Sequence, residues 1–215
     1  MRKTQTGFTL IELAIVLVII GLLLGGVLKG QELINSAKVK NMANDFRNIQ
    51  VYVYSYQDKF RALPGDDKAA VNHVGAANNG NGDGLIGGAW NASSGESFDF
   101  WQHIRLAGLA TGSTVLTDDT YAPTNADGGP VGVQAASTPS IVNLKGSYVV
   151  CSGGILGKFA KELDTAMDDG NTATGVMMTA PVASVDGATA ATAVTNTGET
   201  PTIDDSTKYA VCMAF

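Results

Sequence analysis

From Phe8 to Leu28 the chain is apolar on every side, and "FTLIELAIVLVIIGLLLGGVL" holds a single charged residue, Glu12. As a helix, this run of about 21 residues reaches roughly 31 Å, the thickness of a bilayer's hydrocarbon core. Beyond Leu28 the pattern changes. Val39, Met42, Phe46, Ile49, Val53, Tyr56 and Phe60 recur at spacings of three and four, while Lys38, Lys40, Asn44, Asp45, Arg47, Asn48, Gln57, Asp58 and Lys59 fill the other faces. That is the signature of an amphipathic helix. No breaker separates the two patterns, so one helix of roughly 80 Å is predicted over 8–62. It stops at "RALPGDD", where Pro64 disfavours a helical Leu63 and Gly65 permits a reversal. Its apolar stripe needs cover from the rest of the chain.

The remainder is turn-rich and polar. "FDFWQHIRLAGL" (Phe98 to Leu109) reads as a short amphipathic helix offering Phe100, Trp101, Ile104, Leu106 and Leu109 to a core, with His103 at the surface or in a cap. "PSIVNLKGSYVVCSG" and "KYAVCMAF" are β-branched and aromatic runs bounded by turn residues, which predicts strands. Between them "GKFAKELDTAMDDGNTATGVMM" predicts a helix, an acidic turn at Asp168, Asp169 and Gly170, and a further strand. The Thr/Ala-rich stretch from Thr179 to Thr207 has little periodicity and is expected to be a long surface loop.

Composition and charge narrow the function. The chain of 215 residues has room for one domain plus an appendage. A net charge of −6 and a pI near 4.8 leave no basic surface for a phosphate backbone, so nucleic acid is not an expected partner. Arg2 and Lys3 precede the apolar run and hold that end in the cytoplasm, which sends the rest outward. In that compartment Cys151 and Cys212 are expected to form one disulfide; two buried thiols are the alternative.

The junction at the start of the apolar run is unlike a signal-peptide site, which would follow the apolar region. A basic leader, Gly7, Phe8, and Glu12 four residues after Phe8 lead into the uninterrupted helix. In combination this resembles type IV prepilins and the related pseudopilins of type II secretion, strongly over the first 60 or so residues and loosely beyond. The resemblance implies cleavage after Gly7 by a prepilin peptidase and N-methylation of Phe8. Loss of Arg2 and Lys3 would lower the net charge to about −8. It also implies an α+β, type IV pilin-like fold in which a small antiparallel sheet covers the amphipathic half of the helix. The corresponding divisions are a leader at 1–7, a transmembrane and polymerisation helix at 8–28, its amphipathic continuation at 29–62, and a globular head at 63–215 with a disulfide-closed C-terminal region.

A carboxylate inside a membrane helix costs a few kcal/mol and calls for a partner. In such filaments the partner of Glu12 would be the freed amine of Phe8 on a neighbouring subunit, which sets axial register because a misplaced subunit leaves a charge unpaired. The implied partners are further copies of the chain or minor pilins, the prepilin peptidase, the inner-membrane assembly platform, and the membrane before assembly. The implied location is the bacterial inner membrane, with the head outside the cytoplasm, and then an extracellular filament or periplasmic pseudopilus. Gly21, Gly25, Gly26 and Gly30 weaken the later half of the helix and admit close neighbours.

No cofactor is implied beyond a calcium ion. Asn79, Asn81 and Asp83 alternate and are followed by Gly84, the first half of an EF-hand-like loop. Trp90 stands where the closing Glu belongs, so a calcium site would draw on Asp66, Asp67 or Glu96; a plain Gly/Asn turn is the alternative. No Ser/His/Asp, Cys/His or phosphate-loop arrangement occurs, so an enzyme is not expected. The expected function is that of a structural pilin subunit serving adhesion, motility or uptake. A pseudopilin of type II secretion and a membrane-anchored periplasmic binding module are the alternatives.

Overall fold

The computed structural model describes residues 9–198 and 201–215. The chain divides into two compact units, one ending at Lys38 and one beginning at Val39. Helix α1, Leu10–Phe60, begins in the first unit and ends in the second. In the first unit every residue from Thr9 to Lys29 is exposed in the single chain, and the helix is long and apolar enough to cross a membrane. A Cβ added at Gly21, Gly25, Gly26 or Gly30 would meet nothing within 4 Å. Among the described residues, no contact requires glycine at these positions.

In the second unit the three-four spacing becomes a buried stripe. Val39, Met42, Ala43, Phe46, Ile49, Val53 and Tyr56 are buried, and Phe60 is half-buried. α1 ends at Phe60 rather than Ala62, because Arg61 already takes a left-handed φ of +55° ahead of Pro64. Gly65 then makes the reversal at φ +89°, where a Cβ would run into the Glu96 carbonyl.

Three shorter helices follow: α2 (Ala70–Val74), α3 (Glu96–Leu106) and α4 (Gly157–Met167). Strands β1 (Val131–Ala135), β2 (Tyr148–Leu156), β3 (Met177–Pro181) and β4 (Lys208–Ala214) form one antiparallel sheet in the order β1-β2-β4-β3. The architecture is α+β and pilin-like, as the resemblance implied. Period-two alternation divides the sheet's side chains between two cores. Val131, Val133, Val150, Met177, Tyr209 and Val211 join the stripe of α1 together with Phe100, Ile104, Phe159 and Leu163. Val149, Cys151, Met178, Ala180, Ala210 and Cys212 belong to a second cluster with Trp90, Ile141, Leu144, Val185 and Ala191. Cys151 and Cys212 are register partners across β2 and β4 and form a disulfide.

Two expectations are corrected. The stretch from Thr179 to Thr207 is not a plain surface loop: it starts in β3, and Val185, Ala191, Val194 and Ile203 are buried, with bridges Ile141–Ala191 and Thr195–Thr202. Sparse apolar residues without a period fill both cores, Val185 and Ala191 the second cluster and Val194 and Ile203 the one on α1, which a periodicity argument does not see. The expected strand from Pro139 is shorter, because only Tyr148 onward pairs in β2.

Candidate functional site

Gly7 and Phe8, the expected cleavage and methylation positions, lie outside the described residues, as does the leader. The helix start that follows them is described from Thr9. Thr9 donates its backbone N–H (2.8 Å) and its hydroxyl (2.6 Å) to Glu12 Oε2, and the Glu12 N–H donates to Thr9 Oγ1 at 3.3 Å. This is a capping box, in which the two residues satisfy each other's orphan donors at the N-terminus of α1. Thr9 was missed as a functional residue; the Thr-x-x-Glu spacing was the signal that could have found it.

At the other end of α1 a buried polar network fixes the chain reversal. Asp67 is 1% exposed and accepts the Tyr56 hydroxyl at 2.8 Å, His73 Nδ1 at 2.7 Å and the Ala69 N–H at 2.9 Å. Burial by itself raises its pKa, but the hydrogen bonds from His73, Ala69 and Tyr56 win and hold the carboxyl below its ordinary value. His103 is fully buried, which corrects the expectation of a surface or capping residue. Its Nδ1 accepts the Gly65 N–H at 2.9 Å, so the ring proton sits on Nε2, 3.3 Å from the Asn78 carbonyl. Burial pushes the pKa of His103 down, against the opposing pull of Asn78, Asp99 and Asp67. A histidine on an amphipathic helix looks exposed by pattern alone, whereas here the reversal at Gly65 folds over it.

The Asn/Gly loop is held from outside. Asp66 Oδ1 accepts the N–H groups of Gly82 (2.7 Å) and Asp83 (3.1 Å), and Oδ2 accepts that of Gly84 at 2.8 Å. Glu96 accepts the N–H groups of Asn81 at 2.9 Å and Gly87 at 2.8 Å. Of the three expected calcium ligands, Asn79 turns away and accepts the Val71 N–H at 2.9 Å, while Asn81 and Asp83 bond each other. The carboxylates brought together are those of Asp66, Asp83 and Glu96, with one oxygen of each within 4.8 Å of the others. Asp67 faces its own network instead.

A second acidic group, unforeseen as a unit, lies where α4 ends: Asp164, Asp168 and Asp169. Burial first, and then the charges of Asp169 and Asp168, push the Asp164 carboxyl up to about 7, with the Gly170 N–H acting the other way.

Among known families, residues 2–28 match the prokaryotic N-terminal methylation motif. The chain carries the type IV prepilin and pseudopilin signature. No curated protein and no solved structure matches it. The methylation motif ends at Leu28, in the exposed apolar part of α1, and takes in both Thr9 and Glu12 of the capping box. The motif implies processing by a prepilin peptidase and polymerisation into filaments. With the long apolar helix, it fits a membrane-anchored precursor.

Proposed function

We propose that this chain is a structural pilin, cleaved after Gly7, methylated at Phe8 and polymerised through its N-terminal helix into a type IV pilus-like filament. The observation that carries the reading is the methylation motif over 2–28, whose apolar α1 residues are exposed and whose Gly21, Gly25 and Gly26 would accept a Cβ with no atom of another described segment within 4 Å. Lipid covers that surface before assembly, and the helices of neighbouring subunits cover it afterwards. Residues 8–28 would serve as the polymerisation helix, 29–62 as its amphipathic continuation and 63–215 as the head displayed outside. Glu12 would exchange its cap for the terminal amine of a neighbour's Phe8, a stronger partner for a carboxylate in apolar surroundings than a hydroxyl.

Intact mass and N-terminal sequencing of protein sheared from the cell surface test the reading. A chain beginning at methylated Phe8 in the sheared fraction is expected. A chain still beginning at Met1 and confined to membranes would make it an anchored domain instead.

The convergence of Asp66, Asp83 and Glu96 favours a second reading, a pseudopilin whose Asn81–Gly84 loop takes calcium. The all-oxygen donor set suits that ion. Against it, Asp66 and Glu96 already accept the loop's own N–H groups, which gives their charge a partner without metal. A calcium-dependent melting temperature that is lost in Asp83→Asn would support the pseudopilin.

A further inference from the structure

Asp164 sits in the last turn of α4 and is fully buried, and beyond the pull of the Gly170 N–H neither carboxylate oxygen has a hydrogen bond of good geometry among the described residues. A buried carboxylate is ordinarily paired, hydrogen-bonded or bound to metal. Its nearest charged companions are of the same sign, since one oxygen each of Asp164, Asp168 and Asp169 lie within 4.8 Å of one another. The ion pairs drawn between described residues, Lys29–Glu32, Arg61–Asp58, His73–Asp67 and Lys161–Asp205, all lie elsewhere.

The surrounding turn is built to keep these oxygens together. Asp168 Oδ2 accepts the Met177 N–H at 2.7 Å, which ties the end of α4 to the start of β3. Asp169 accepts the Asn171 N–H at 2.8 Å and the Thr174 hydroxyl at 2.7 Å. Gly175, at φ +81°, has no Cβ to run into the Asp168 carboxylate. Asn196 Nδ2 donates to the Gly170 carbonyl at 2.8 Å and holds the turn from the far side. These bonds occupy Asp168 and Asp169, whereas Asp164 has only the Gly170 N–H beside it.

We propose that Asp164, Asp168 and Asp169 bind a calcium ion at the turn between α4 and β3. Three carboxylates with no nitrogen or sulfur donor select a hard cation, and an irregular turn suits the flexible coordination of calcium better than the strict octahedron of magnesium. The two open oxygens of Asp164 can bind the ion together, which turns an unpaired buried charge into a bidentate ligand. The ion would fasten α4 to β3. This site stands apart in sequence from the Asp66, Asp83 and Glu96 group and does not depend on the filament reading.

The test is a calcium titration of the full chain in detergent micelles, with magnesium as comparator, followed by calorimetry and by melting temperature. The wild-type melting temperature rises with calcium, with a Kd in the range of about 10⁻⁴–10⁻³ M found for extracellular sites. Asp164→Asn weakens calcium binding about tenfold or more, yet melts in chelator no lower than wild type, because the amide removes a buried charge. Asp83→Asn keeps the response, which separates this site from the Asn/Gly loop. If Asp164→Asn fails to fold, Asp169→Asn, an exposed position, gives the same readout. Wild-type affinity in both Asp164→Asn and Asp169→Asn, or no binding by the wild type at about 10 mM calcium, overturns the proposal.

Discussion

Thr9 and Glu12 bind each other at the start of α1, with the threonine hydroxyl and N–H both directed at Glu12 Oε2. The residue expected to set filament register is therefore engaged as a helix cap in the single chain. A cap of this kind contributes about 1 kcal/mol, so a neighbour's amine needs only a modest advantage to displace it.

Substitutions separate the two roles. Glu12→Ala is expected to leave membrane insertion intact and to reduce filament yield severely. Thr9→Val removes the cap and keeps the carboxylate, so filament yield is expected to stay near wild type. Sheared-fraction yield against total membrane-inserted protein measures both, and equal losses in the two variants would assign Glu12 to capping alone.

Tyr56→Phe deletes the buried hydroxyl that Asp67 accepts and is expected to cost about 1.5–3 kcal/mol, as for a hydrogen bond to a charged group. Asp67→Ala leaves the buried Tyr56 hydroxyl and the Ala69 N–H without their acceptor and should cost more, about 3 kcal/mol. Denaturant unfolding of the full chain in micelles, followed by near-UV circular dichroism, gives both values.

Acid should loosen the reversal at Gly65. The folded pKa of His103 lies below its ordinary 6.5, so the unfolded chain takes up the proton first. The stability this group contributes is complete above pH 6.5 and is lost as pH falls through the depressed folded value. The lowered pKa of Asp67 adds a further loss at still lower pH, below its ordinary 3.8. NMR titration of the His103 ring checks the first claim: a midpoint at or above 6.5 would contradict it.

Reducing the Cys151–Cys212 bond opens a loop with a sequence separation of 61 residues. In the loop-closure description that costs about 4 kcal/mol. The paired Cys151→Ala and Cys212→Ala variant should therefore melt well below wild type, and the wild type in reductant should approach it.

The Cβ of Gly25→Ala meets no atom of another segment within 4 Å among the described residues, and the change adds about 1 kcal/mol of helix propensity. The isolated subunit should be unharmed. A fall in filament yield, measured against unchanged membrane-inserted protein, would show that neighbouring helices pack on this glycine or that the helix must extend there during assembly.

The sequence by itself determined the long helix, its membrane-compatible first part, the buried stripe from Val39 to Tyr56 and the N-terminal methylation motif, because each rests on local periodicity or on a motif contiguous in the chain. It also marked both cysteines as strand residues. Their pairing, however, rests on the β2·β4 register, which puts Cys151 opposite Cys212 in the cluster away from α1. Pattern could not show that sheet residues were divided between two cores, since both faces are buried and the strands read as continuous apolar runs. His103 looked exposed because its burial comes from a reversal 38 residues upstream. Only the tertiary structure withdrew Asn79 from the acidic loop, selected Asp66 and Glu96 over Asp67 among the carboxylates the sequence offered, and left Asp164 buried beside Asp168 and Asp169. Such groupings follow from where folded backbone delivers side chains from different elements, a property that no local spacing encodes.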